Sequence, residues 1–326
     1  MAHILTVAIP AYNVEKFLEV AVLSVAKYSS VEVLIVDDGS TDGTSKIADV
    51  LANQFKNVSV IHKKNGGHGS TINAAIAKAS GKYFKLLDGD DWFDKESFGA
   101  FLNHLKSETA DLVLNEHIEE HMQRKKSVAT RFYAGLQKDV SLNLADIKFK
   151  TYGPILPNTT IRTSILKAAN FKIDEHCFYV DQEYNFICYV GAETCIIYDI
   201  PIYHYRLEQD TQSVARGGYI KNVASHRRVC ERLLREYSTV AKNIAPAKLL
   251  YIEKKVIVPL CNLQYDIAIR YCRSRKEFLL FDQILAKHPY FYKHPGVAGN
   301  IISLHRKTRG LSLFLDGVLN RIGQRC

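Results

Sequence analysis

VEVLIVDDGSTDGT, residues 31–44, is a short apolar run that stops abruptly in two carboxylates and a string of glycine and hydroxyl residues. Val, Leu and Ile in a run this short read as a strand of a covered sheet, and Asp, Gly, Ser and Thr then supply turn and helix-cap chemistry. Residues 44–55 continue at helical spacing, so the stretch reads as strand, turn, helix. The pattern repeats on both sides. A strand over 5–9 ends in Pro10-Ala11-Tyr12-Asn13, one over 58–62 in Lys63-Lys64-Asn65-Gly66-Gly67-His68-Gly69, and one over 83–87 in Asp88-Gly89-Asp90-Asp91. Val14, Phe17, Leu18, Ala21 and Val25 recur at helical spacing after the first strand, and residues 70–79 do so after the third. Strand and helix in alternation give right-handed βαβ units and a doubly wound sheet. Such sheets bind ligands outside the carboxyl ends of their strands, so the four polar ends should face one cleft.

The rest of the 326 residues bounds the reading. Hydrophobic residues make up 47% and charged residues 24%, ordinary globular usage that excludes disordered, collagenous and solenoid classes. Residues 108–215 carry apolar runs at 112–114, 155–161, 178–180 and 195–198, read as the second half of the same sheet. From Tyr219 to about Pro289 the pattern is helical. Three segments follow: 1–107, 108–215 and a basic helical region, 216–326. Charge is divided unequally among them. Residues 1–215 hold 22 Lys and Arg against 27 Asp and Glu, a net of −5, whereas residues 216–326 hold 21 against 7, a net of +14. Seven cysteines without paired or CxxC spacing point to reduced thiols in a cytoplasm and against structural zinc. No window reaches the ~18 apolar residues of a spanning helix, and the N-terminus lacks the pattern of a signal peptide.

The acids at the strand ends suit particular chemistry. Asp88-Gly89-Asp90-Asp91 sets carboxylates at fixed separation where a strand meets solvent, a geometry that suits Mg²⁺ or Mn²⁺ held against a diphosphate; a solvated turn before a helix beginning near Asp94 is the plainer alternative. Capping accounts for Ser40 to Thr44 but not for two acids at one strand tip, where a carboxylate can accept from a base N–H or a ribose hydroxyl. The loop 65–70 lacks the Gly-Lys-Ser/Thr ending and the GxGxxG spacing of phosphate and dinucleotide loops. Its glycines allow close backbone approach to an anion, and His68 reads as a surface or turn residue.

Taken together, VAIPAYN (7–13), VEVLIVDDGSTDGT (31–44), NGGHGSTINAAIAKASGKYFKLLDGDDW (65–92) and YVDQEYNF (179–186) strongly resemble the family 2 glycosyltransferases, over roughly residues 3–215. The resemblance implies an inverting enzyme with a GT-A nucleotide-sugar-binding fold, a Rossmann-like mixed sheet with helices on both faces, here with the basic helical extension. It implies that Pro10 and Tyr12 flank the base, that Asp38 contacts uracil or ribose, and that Asn65 and Gly67 line the same pocket. Asp88 and Asp90 become the DXD pair, with Asp90 the direct ligand of Mn²⁺ or Mg²⁺ and Asp91 fixing the turn or meeting the sugar. Asp181 takes the place of the catalytic base, although Val180 stands where relatives carry Glu; a helix N-cap is its structural alternative. Ile72 stands where many relatives carry an Arg. His204 and Arg206, in a closing Tyr-x-Tyr-Arg element, are candidates to meet the pyrophosphate, and Trp92 to floor the acceptor site.

The implied partners are a nucleotide sugar, most simply UDP-linked, and a glycan or lipid-linked saccharide in cell-surface polysaccharide synthesis. Leu311, Phe314, Leu315, Val318, Leu319 and Ile322 share one helical face beside several arginines, suited either to an anionic membrane surface on the cytoplasmic side or to packing on the catalytic unit or a second subunit. No stacking or groove-reading motif accompanies the basic charge, which argues against nucleic acid. Two other classes remain. A non-catalytic nucleotide-sugar-binding protein would fit the Glu and Arg departures. A sugar nucleotidyltransferase would need a basic glycine-rich loop where Pro10-Ala11-Tyr12-Asn13 stands.

Overall fold

A computed structural model describes residues 3–131, 133–148, 154–169, 171–207, 216–293 and 299–311, and the chain divides into two compact units, Met1–Gln209 and Asp210–Cys326. In the first unit, β1 (Leu5–Ala11), β2 (Val31–Asp37), β3 (Val58–His62) and β4 (Tyr83–Leu86) lie parallel in the order β3-β2-β1-β4. They are joined by α1 (Leu18–Leu23), α2 (Thr44–Gln54) and α3 (His68–Lys78). Each strand begins where the apolar runs predict, and β1 and β2 extend further into the polar ends.

The same sheet continues through the second half of the unit. β5 (Trp92–Phe93), α4 (Lys95–Ser107), β6 (Leu112–His121), β7 (Lys126–Ala129), β8 (Leu142–Asn143), β9 (Thr159–Arg162), α5 (Thr163–Ala168), α6 (Asp181–Gly191) and β10 (Thr194–Leu207) complete it. The full order is β3-β2-β1-β4-β9-β6-β10-β5, with β7 on β6 and β8 on β10. β9 runs antiparallel between β4 and β6, whereas β10 is parallel to β6, so the sheet is mixed. Of the apolar runs, 178–180 forms no strand. It is the loop into α6, and Tyr179 there has φ +66°.

The period of two in β1 explains how both faces are covered. Leu5, Val7 and Ile9 share one buried cluster with Leu18 of α1, Leu51 of α2 and Phe98 of α4. Each such fully buried side chain is worth roughly 1.5–3 kcal/mol over leaving it in water. On the opposite face Phe84 of β4 meets Tyr184 of α6 with ring centroids 6.4 Å apart. α4 starts at a true cap, Asp94 accepting from the Ser97 amide at 2.8 Å. α2 departs from expectation: its cap residue is Gly43, which has no side chain to offer. The hydroxyls and acids of 40–44 instead mostly bind the loop after β1, as described below.

The second unit is helical. It comprises α7 (Arg216–Lys221), α8 (Val223–Val240), α9 (Pro246–Ile252), α10 (Val258–Asp266), α11 (Arg275–Ala286), α12 (Pro289–Lys293) and α13 (Gly299–Lys307), with π turns at Glu253–Ile257 and Ile267–Tyr271. Leu233, Leu234, Ile252, Phe278 and Phe281 form its interior. Arg306 is clamped by Asp282 at 2.6 Å and by the Tyr265 hydroxyl at 2.9 Å, and lies 3.6 Å over the Tyr292 ring. Among the described residues no helix is long and apolar enough to cross a membrane, and the six described cysteines are free thiols. The apolar face expected over 311–322 lies outside the described residues apart from Leu311, which is exposed.

Candidate active site

The carboxyl ends of β1, β2 and β3 are stitched together by the polar residues that mark them. Asn13, at φ +56°, accepts from the Thr41 amide at 2.8 Å, and its own amide donates to Ser40 Oγ at 3.1 Å. The Val14 amide donates to Thr44 Oγ1 at 2.8 Å, and the Glu15 amide to Asp42 at 3.2 Å. Asp37 accepts from the Ser40 amide, Ser45 Oγ and His62 Nδ1. Burial works to raise its pKa, but these bonds outweigh it and hold Asp37 below the usual carboxylate range.

Asp38, only 2% exposed, reaches across to the third loop. Its Oδ1 accepts from Lys63 Nζ at 2.7 Å, the Gly66 amide at 2.9 Å and Ser70 Oγ at 3.2 Å, and its Oδ2 from the Gly67 amide at 2.8 Å. A carboxylate offers about four lone-pair sites. Asp38 is thus first an anchor of the glycine loop, with room left chiefly on Oδ2. Pro10 is half-buried at the end of β1, and Tyr12 (49% exposed) and Asn65 present their side chains to solvent beside that anchor. Gly67 at φ +82° takes a backbone conformation that suits glycine, and an added Cβ would lie 3.2 Å from the His176 amide.

Beyond β4 the turn Asp88-Gly89-Asp90-Asp91 closes on itself, the Asp91 amide donating to the Asp88 carbonyl at 3.0 Å. Buried Asp91 accepts from the Arg206 amide and from the Tyr203 hydroxyl, both at 2.7 Å, and that hydroxyl in turn accepts from the Asp88 amide at 3.2 Å. Arg206 Nε donates to the Asp90 carbonyl at 2.7 Å while its guanidinium packs over Phe17 at 4.7 Å and Trp92 at 4.8 Å. β10 therefore braces the turn from outside. His204 stacks on Trp92 at 4.8 Å and pairs through Nδ1 with Glu120 at 2.8 Å, which makes both rings part of the wall beside the turn.

The electrostatics of this turn fit a cation. Burial and the charges of Asp90 and Asp181 push the Asp88 carboxyl up to about 7, and Asp91 is raised well above its usual range by burial, Asp88 and Asp90. Acids that raise one another in this way are relieved by a divalent ion. Among the described residues no three His, Cys, Asp or Glu side chains gather as a metal cage. Asp88 and Asp90 would offer two carboxylates to a hard ion that completes its shell with substrate phosphate and water.

Asp181 opens α6 at its first helical position, and the cap residue before it, Val180, makes no side-chain bond. The approach to it is clamped. Asn73 exchanges two bonds with the main chain of Ile173, at 2.8 and 3.0 Å, Glu183 accepts from the Asp174 amide at 2.8 Å, and the His176 amide donates to the Gly66 carbonyl at 2.6 Å. His176 at φ +49° and Tyr179 at φ +66° sit in a region that costs of order 1–3 kcal/mol for such residues. Burial raises the Asp181 pKa against the opposing charge of His68 and the bond from Gln182. The clamp thus holds a carboxyl of raised pKa within reach of the charge of His68, the first residue of α3.

Two features escape sequence reasoning. Ile72 is fully buried, so the position at which relatives carry Arg is here part of the core. His68 follows the turn glycine Gly67 as the first residue of α3 and is half-buried, and burial lowers its pKa against the charges of Asp181, Asp38 and Asp90. Its place inside the run Gly66-Gly67-His68-Gly69 was the available signal.

Residues 6–178 match the family model described as Glycosyl transferase family 2. The uncharacterized glycosyltransferase EpsJ of Bacillus subtilis is 26% identical over 212 residues, covering 63% of this chain and 62% of that protein. The glycosyltransferase GlyG of Streptococcus pneumoniae is 32% identical over 120 residues, covering 36% of this chain and 40% of that one. The chain thus spans less than two thirds of the length of these relatives. A crystal structure of Staphylococcus aureus TarS 1–349 in complex with UDP-GlcNAc superposes with a TM-score of 0.57 over 91% of both chains at 18% identity, a shared fold. By the family match over more than half its length and by this fold, the chain belongs to glycosyl transferase family 2.

Proposed function

We propose that the chain is a metal-dependent inverting glycosyltransferase that moves a sugar from a UDP-linked donor to a hydroxyl of a glycan or lipid-linked saccharide in cell-surface polysaccharide synthesis. The observation that carries this reading is the convergence of the Asp38-anchored loop, the Asp88–Asp91 turn and Asp181 at one end of the sheet. TarS, a poly(ribitol-phosphate) beta-N-acetylglucosaminyltransferase whose structure holds UDP-GlcNAc, supports the uridine donor.

In this mechanism Pro10, Tyr12, Asn65, Gly67 and the free side of Asp38 seat the base and ribose. Asp88 and Asp90 hold Mn²⁺ or Mg²⁺, which when bound neutralises the departing diphosphate. Arg206 and Tyr203 keep that turn rigid through Asp90 and Asp91. Asp181 accepts the proton of the acceptor hydroxyl as its oxygen bonds to the anomeric carbon and the bond to the diphosphate oxygen breaks, in one displacement that inverts configuration. The pKa raised by burial makes Asp181 a better base than an exposed carboxylate. The basic second unit is assigned to the membrane side of the reaction or to a second subunit, in the cytoplasm.

A panel of nucleotide sugars, incubated with Mn²⁺ or Mg²⁺ and followed by release of nucleoside diphosphate, tests the reading. Metal-dependent release from a UDP-sugar, lost in Asp181→Asn, is the expected result. No release from any donor, together with no UDP binding by calorimetry, refutes it; UDP binding without release under any acceptor would instead indicate a binding protein.

A further inference from the structure

Lys63, His68 and Arg206 are among the side chains at this end of the sheet that can donate to an anion, together with exposed Lys64 and with His204, which pairs with Glu120. Lys63 is spent, its three hydrogens directed at Asp38 Oδ1 at 2.7 Å, Ser70 Oγ at 2.7 Å and the Lys64 carbonyl at 2.8 Å. Arg206 is committed to the Asp90 carbonyl and packed over Phe17 and Trp92. The His68 imidazole makes no hydrogen bond among the described residues, and the residue is half-buried between Gly67, whose amide donates to Asp38 at 2.8 Å, and Gly69, which lies against the Asp174 carbonyl; burial favours the neutral ring against the charges of Asp181, Asp38 and Asp90. Those three acids come from three different loops, the nucleoside side, the metal turn and the base.

We propose that the imidazole of His68 binds the diphosphate of the nucleotide-sugar donor, an assignment that rests on the function proposed above. The chemistry of the surroundings selects that ligand. Sugar and acceptor hydroxyls can donate to the carboxylates that dominate the cleft, whereas phosphate oxygens only accept and find few donors there. His68 directly follows Gly67, whose amide bonds Asp38, so it stands where a link from the nucleoside side towards the metal would begin. α3 also begins here with no acid in its first turn, so its positive end does not oppose an anion. The placement is fixed by the backbone: an added Cβ at Gly69 would lie 2.1 Å from the Asp174 carbonyl, so the residue after His68 must be glycine for this turn to reach the Asp181 loop. The imidazole thereby supplies, from the start of α3, a donor group that buried Ile72 one turn later does not.

The test compares UDP with uridine, which has no phosphate. The unaltered chain, His68→Ala and His68→Gln are titrated with UDP and Mn²⁺ by calorimetry, and with uridine by ligand-observed NMR. The Ala variant should bind UDP about 10- to 100-fold more weakly, the loss expected for a hydrogen bond to a charged group, with uridine binding unchanged; Gln, which keeps an N–H donor, should recover part of the UDP affinity. Unchanged UDP binding by His68→Ala, or equal loss for both ligands, would overturn the assignment while leaving the nucleotide site standing. Failure of the unaltered chain to bind either ligand would overturn the function proposed above and this assignment with it.

Discussion

Asp38→Ala separates anchoring from ligand contact, because the change strips four donors of their acceptor at once. Lys63 Nζ, with its side chain 24% exposed, can turn towards water and adds little. The Gly66 and Gly67 amides cannot turn, and Gly66 is buried. Each buried donor left unmade costs about 1–3 kcal/mol, and the losses overlap because one loop carries them, so the variant should lose about 2–4 kcal/mol. For a unit of this size that is a fall in Tm of roughly 5–15 °C. Asp38→Asn keeps one acceptor oxygen and should fall about half as far. Thermal melts followed by circular dichroism without nucleotide read this directly. An Asp38→Ala protein that melts where the unaltered chain does, yet no longer binds UDP, would refute the anchoring argument and leave Asp38 a ligand contact alone.

Asp181→Asn should reduce transfer by about 10²–10⁴-fold while UDP still binds; full transfer would remove Asp181 from the mechanism. An acid whose native pKa is raised by burial holds its proton more tightly folded than unfolded, so it lowers stability once pH exceeds its ordinary value; Asp181→Asn should therefore melt at or above the temperature of the unaltered chain at neutral pH. The same sign places the acidic limb of kcat/KM, read from a pH profile, above the ordinary carboxylate range, with activity lost as pH falls through it. Asp90→Ala should remove the dependence of UDP binding on Mn²⁺, checked by titration with and without metal. Gly69→Ala forces the α3 turn off the Asp174 carbonyl and should cost about 1–3 kcal/mol in urea unfolding.

The four parallel strands were legible because a buried strand needs an unbroken apolar run, and the ends of 5–9, 31–36, 58–62 and 83–87 were where polarity returned. The acceptor-side elements were less so. Residues 155–161 and 178–180 are apolar, but the first splits into a 3₁₀ turn and the short β9, and the second is a loop carrying Tyr179 at φ +66°. Local composition does not reveal a backbone held by distant clamps such as Asn73 on Ile173. Ser40 and Thr44 likewise read as caps because that is their commonest use, whereas here they accept from amides 27 and 30 residues earlier in the chain.

The acids of the cleft show why motif and role part company. Asp37 and Asp42 are held below the usual range because hydrogen bonds outweigh the burial that would raise them, while Asp88, Asp91 and Asp181 are raised, by burial first. The first pair folds the loops; in the second group the folded chain keeps carboxyl groups in an unfavourable environment. Asp91 shows that elevation alone does not make a ligand, since both its oxygens already accept from Arg206 and Tyr203. What distinguishes Asp88 and Asp181 is elevation together with placement on two separate elements, the turn after β4 and the first residue of α6. In the proposed reaction a divalent ion with a diphosphate would relieve one, and the proton of an acceptor hydroxyl the other. The fold thus spends stability at the two points where the proposed reaction needs, respectively, a positive charge and a proton acceptor.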